Sequence, residues 1–101
     1  MAQVKICRVD EILEAEPRQF IVEGTEIMLI KLNDDFYCLA GRCTHAGAPL
    51  AEGKLYGDII ECPWHGSRFK VTDGAVIRGP AERQLKTYPL AVKGDNIFVQ
   101  I

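Results

Sequence analysis

The sequence predicts an all-β domain, an antiparallel sandwich or small barrel. Short apolar runs recur at close spacing, Gly, Asp, Asn and Pro punctuate them, and only one stretch has room for a helix. At 101 residues and 48% hydrophobic, the chain suits one folded domain over 1–101 with a modest core.

Residues 4–9 alternate apolar and polar, as a half-buried strand does. Residues 9–16 are the one candidate helix, with Asp10 as N-cap. Strands are expected at 20–22, 26–32 and 36–39, with Asn33, Asp34 and Asp35 turning the chain between the last two. Further strands are expected at 59–61, 68–71 and 75–77, with Asp73-Gly74 as the turn joining the last pair. Residues 86–93 and 97–101 close the chain across Gly94, Asp95 and Asn96.

The net charge of −2 argues against nucleic acid as a partner, because phosphate binding needs a basic face. The longest apolar runs, such as 27–30, are too short to span a membrane. The N-terminal residues lack a positive stretch followed by an apolar one, so a cytoplasmic protein without a membrane partner is expected.

Two stretches break the β pattern. Residues 40–49 hold Cys43-Thr44-His45, and residues 62–67 hold Cys62-Pro63-Trp64-His65. Both histidines of the chain and two of its four cysteines lie there. Residues 46–61 are long enough for a hairpin excursion that returns the second loop to the first. The set Cys43, His45, Cys62 and His65 then fits a [2Fe–2S] centre in which both imidazoles fall on one iron and both thiolates on the other. Such a centre is neutral when oxidised, so it accepts an electron more readily than an anionic four-thiolate cluster. A structural zinc site is the competitor, although its usual spacing pairs Cys with Cys and His with His. A Cys–His nucleophile would leave the second pair unexplained. Cys7 and Cys38 have no such neighbours and read as buried, inert thiols.

Cys43-Thr44-His45-Ala46-Gly47 and Cys62-Pro63-Trp64-His65-Gly66-Ser67 closely resemble the two cluster-binding motifs of Rieske proteins. The resemblance covers most of the chain and implies a cluster-binding subdomain, about 41–80, at the tip of an antiparallel β-sandwich. It places Gly79-Pro80 on a loop that shields the cluster. Rieske proteins of quinol-oxidising complexes carry a disulfide between their two loops; here Ala48 and Trp64 occupy those positions. Their serine hydroxyl is matched by Ser67, but Phe69 replaces their tyrosine. Fewer donors to sulfur imply a low potential, on the order of −150 mV.

The resemblance is nearest to the ferredoxins of aromatic-ring-hydroxylating dioxygenase systems. It implies a monomeric electron carrier, not itself an enzyme, between a flavin-containing NAD(P)H-dependent ferredoxin reductase and a terminal oxygenase. The small Rieske-fold subunit of an assimilatory nitrite reductase is the alternative; a zinc-stabilised interaction module ranks below it.

Gly41, Gly47, Gly53 and Gly66 are read as glycines permitting tight loops at the cluster. Trp64 either shields the centre and meets a partner, or simply packs. Arg42, Arg68, Lys70, Arg78 and Arg83 gather around the motifs as a positive rim that would steer an acidic partner, or as ordinary solvated charges.

Overall fold

A computed structural model describes residues 3–101. Its strands are β1 (Gln3–Arg8), β2 (Arg18–Val22), β3 (Thr25–Leu32), β4 (Asp35–Ala40), β5 (Lys54–Tyr56), β6 (Ile59–Glu61), β7 (Arg68–Lys70), β8 (Val76–Arg78), β9 (Leu90–Lys93) and β10 (Asn96–Gln100). They form three antiparallel sheets, ordered β1-β10-β9, β2-β3-β4 and β5-β6-β7-β8.

The middle sheet explains the apolar run at 27–30. Strand β3 serves two cores, one from each face. Ile27 and Leu29 join Val22, Cys38, Ile97 and Val99 in the first core. Met28, Ile30 and Leu32 join Leu39, Ile60 and Phe69 in the second. All four residues of the run are fully buried, each stabilising the fold by about 1.5–3 kcal/mol. The second core underlies the two Cys–His loops, so β3 braces the site from behind.

Asn33 and Asp34 both take positive φ, 52° and 69°, and Leu32 pairs with Asp35. This is the two-residue hairpin turn whose twist matches the flanking strands; Asp35 itself begins β4. Glu14 steadies the turn by accepting the Asn33 N–H at 2.7 Å.

The expected helix at 9–16 is absent. One 3-10 turn spans Val9–Glu11, and Arg8, not Asp10, stands at its cap position. Glu11 accepts the Arg8 N–H at 2.7 Å instead. Ala15 then turns left-handed (φ 58°), and its N–H donates to the Lys31 carbonyl at 2.8 Å. An isolated helix of two turns is unstable in water, and the hydrogen bond to β3 draws this segment along the sheet. The expected strand at 86–93 is also divided. Ala40 donates to the Lys86 carbonyl and Tyr88 to that of Cys38, so this part lies along β4. Beyond Pro89 the chain crosses to the other sheet as β9. Strand β5, outside the expected set, pairs with β6 within the excursion between the two loops.

Cys7 and Cys38 are buried in the first core, 5% and 3% exposed, as inert thiols would be. Burial pushes the Cys38 thiol up to about 12 from its ordinary 9.0. The folded chain therefore keeps a proton that the unfolded chain releases. The stabilisation is complete below pH 9 and is lost as pH rises from 9 towards 12. At about 1.4 kcal/mol per unit, this thiol alone should cost about 2 kcal/mol of stability between pH 9 and pH 10.5. Urea denaturation at the two pH values should show a flatter decline for Cys38→Ala than for the parent. Parallel declines would reject the assignment.

Candidate metal centre

Two loops leave the strand framework and carry the predicted donors. The first, 41–49, follows β4; the second, 62–67, joins β6 to β7. They share one backbone plan. In the first, the Cys43 N–H donates to the Ala48 carbonyl at 2.9 Å and the Gly47 N–H to the Cys43 carbonyl at 3.0 Å. In the second, Cys62 donates to Ser67 at 2.7 Å and Gly66 to Cys62 at 3.3 Å. Each turn closes on a glycine four residues after its cysteine, at φ 74° for Gly47 and 76° for Gly66. A side chain is strained in that left-handed region. The same turn is thus built twice although the histidine stands at different spacing.

The turns face each other with like donors together. The Cys43 and Cys62 thiols lie near enough to act on one another. The His45 and His65 rings meet edge to face with centroids 5.1 Å apart. Both thiols are buried, 4% and 2% exposed, whereas both imidazoles are exposed. Burial raises the Cys43 thiol and the neighbouring Cys62 adds to the rise, while the backbone amides of His45 and Ala46 oppose it. The His45 N–H stands 3.4 Å from Cys43 Sγ.

This arrangement fits a two-iron cluster, which takes two thiolates on one metal and two imidazoles on the other. A tetrahedral zinc site draws its ligands around a single ion. No disulfide links the loops: Ala48 is fully buried and Trp64 is exposed at the corresponding positions.

A third loop, 79–85, backs the pair. Ala81 donates its N–H to Ser67 Oγ at 3.0 Å in a fully buried contact, and Thr44 Oγ1 donates to the Arg83 carbonyl at 2.6 Å. Pro80 shares a groove with Thr44 and His45, placing the expected proline loop beside the site. Phe69 is fully buried and offers no hydroxyl. Trp64 is 58% exposed, which removes the simple packing reading.

The positive rim is only partly free. Arg42 pairs with Glu26 and donates to the Gly47 carbonyl at 2.9 Å, fastening the first loop to β3. Arg68 pairs with Glu61 at 2.8 Å. Glu26, also bonded by Gln19, is a supporting residue that sequence reasoning missed. Read alone it is one polar residue in a strand, and only sheet register brings it to Arg42.

A β framework bearing two thiols and two imidazoles, sorted by type on matched turns, defines a two-iron redox protein. The pattern of the Rieske [2Fe–2S] domain matches residues 2–89, and the chain belongs to that family. It is 34% identical to the ferredoxin component of the naphthalene 1,2-dioxygenase system of Pseudomonas aeruginosa, over 90% of this chain and 88% of that protein. Its fold is similar to the ferredoxin of carbazole 1,9a-dioxygenase from Nocardioides aromaticivorans, with a TM-score of 0.92, 32% identity, and 98% and 97% of the two chains covered. It is also similar, at TM-score 0.90 and 32% identity, to a chain in a complex of reduced oxygenase and oxidized ferredoxin in carbazole 1,9a-dioxygenase, covering 96% and 91%. The family's cofactor is a Rieske [2Fe–2S] cluster. No helix among the described residues is long and apolar enough to cross a membrane.

Proposed function

We propose that Cys43, His45, Cys62 and His65 hold the cluster, and that the protein carries single electrons from a flavin-containing ferredoxin reductase to the terminal oxygenase of an aromatic-ring dioxygenase system. The observation that carries this reading is the sorting of donors: thiols together and buried, imidazoles together and exposed. When bound, the cluster supplies one-electron chemistry. The buried thiols keep water from the sulfur side, and the exposed imidazole edges give the shortest way out for an electron. The three hydrogen-bonded loops hold all four donors in place. The relatives named as ferredoxin components, and the related chain in an oxygenase complex, support the same role. A monomeric, cytoplasmic carrier is part of this reading.

Phe69 provides no donor to sulfur, and Ser67 is engaged by the Ala81 amide while keeping its own hydroxyl hydrogen to donate. A redox titration followed by electron paramagnetic resonance should give a rhombic signal on reduction and a midpoint on the order of −150 mV. A midpoint well above 0 mV would contradict the low-potential assignment; a silent reduced sample would contradict the cluster.

A further inference from the structure

The register of the site's own sheet draws a row of charge across its outer face. Lys54 pairs with Glu61, Glu61 with Arg68, and Arg68 with Arg78. Ile60 and Phe69, the inward neighbours, are fully buried, so by alternation Glu61 and Arg68 face out, and a bulge in β8 leaves both Ile77 and Arg78 exposed beside them. Tyr56, Ile59 and Lys70 form the next row. The face carries four cations against one acid, in a chain whose net charge is −2. The rest of the molecule is therefore clearly negative.

This face is placed and built for contact. Glu61 immediately precedes Cys62, Arg68 follows Ser67, and Arg78 precedes the third loop, so the row borders the donor-bearing turns. Arg68 is held rigid, bonded to Glu61 at 2.8 Å and laid over the Tyr56 ring at 4.8 Å. Among the described residues Lys54, Lys70 and Arg78 have no carboxylate within salt-bridge distance. Tyr56, Ile77 and Trp64 stand exposed among these cations, at 46%, 53% and 58%. Arginine, tyrosine and tryptophan together are the side chains that dominate protein interfaces.

We propose that the outer face of β5-β6-β7-β8 is a docking surface for an acidic protein, whose carboxylates meet Lys54, Lys70 and Arg78 while an electron leaves by the adjoining second loop. The proposal rests on the electron-carrier reading. A cationic face on a negative molecule orients an acidic partner before contact, raising productive encounters at low salt.

The test uses the cluster-loaded protein, reduced with half a molar equivalent of dithionite (a two-electron donor, so that none is left over) and mixed with ferric cytochrome b5, an acidic haem protein, or ferric cytochrome c, a basic one. One electron passes from the reduced protein to the ferric haem, leaving oxidised protein and ferrous haem. The rate with cytochrome b5 should fall as salt rises. Joint substitution Lys54→Glu, Lys70→Glu and Arg78→Glu should slow it about tenfold or more at low salt and quicken the reaction with cytochrome c. The midpoint potential and visible spectrum report whether the cluster itself is unchanged. If the triple variant does not fold, Lys54→Gln with Arg78→Gln should shift the rates in the same directions. Equal cytochrome b5 rates in parent and variant overturn the docking surface, as does tighter binding to a DNA duplex than to cytochrome b5. A parent that reduces neither haem protein overturns the electron-carrier reading, and the surface with it.

Discussion

Cys62→Ala should yield a folded, colourless protein with background iron and no paramagnetic signal after reduction. On the proposed ligand set each loop contributes one thiol and one imidazole, so losing either thiol would leave one iron with a single protein ligand. The loss should not spread far. Cys62 is one member of the second core, whereas the first core contains neither Cys43 nor Cys62. The β-rich circular dichroism spectrum should therefore survive while the colour disappears. Cys38→Ala is the control, because Cys38 lies in the first core and should leave the colour intact. Cluster content near the parent's in Cys62→Ala would remove that residue from the ligand set.

Gly74→Ala should be strongly destabilising. Gly74 sits at φ 78°, and a Cβ there would stand 2.3 Å from the Leu85 carbonyl oxygen. The backbone conformation alone costs an alanine about 1–2 kcal/mol. The contact with backbone adds to this, because Leu85 donates its N–H to the Gly74 carbonyl at 2.8 Å and cannot move without breaking that bond. A total of about 3–5 kcal/mol is expected, lowering the melting temperature by roughly 15–25 °C. Gly24→Ala separates the two contributions: at φ 80° with nothing within 4 Å of its Cβ, it should cost only the backbone part, about 1–2 kcal/mol. Equal melting temperatures for the two variants would show that the Leu85 contact is soft. Gly74→Ala should also shorten the lifetime of the bound cluster, since the displaced segment carries Ala81 and Arg83, which hold Ser67 and Thr44.

The donor loops were legible because two dense motifs interrupt a period-2 pattern, and pattern depends only on neighbours in sequence. The hairpin turns were legible for the same reason, since Asn33-Asp34 and Gly94-Asp95 state their backbone preference locally. The helix expected at 9–16 failed where a long-range force won: Ala15 bonds Lys31 in β3, and no local rule contains that partner. The break at Pro89 was written in the sequence, but the sheet change it permits was not. The sorting of thiol with thiol and imidazole with imidazole was implied by the ligand set, but its geometry needs a loop after β4 and a loop between β6 and β7 brought face to face, and no local pattern contains that pairing. Glu26 and its hold on Arg42 were invisible for the same reason.

The alternation along β3 separates two kinds of adjustment within one strand. A change at Ile27 or Leu29 alters the packing of the first core and hence how firmly the chain as a whole is folded. A change one residue away, at Met28 or Ile30, reshapes the bed beneath the donor loops. All four are fully buried, so either change draws on the stability of the fold, but only the second kind also moves the floor under the cysteines.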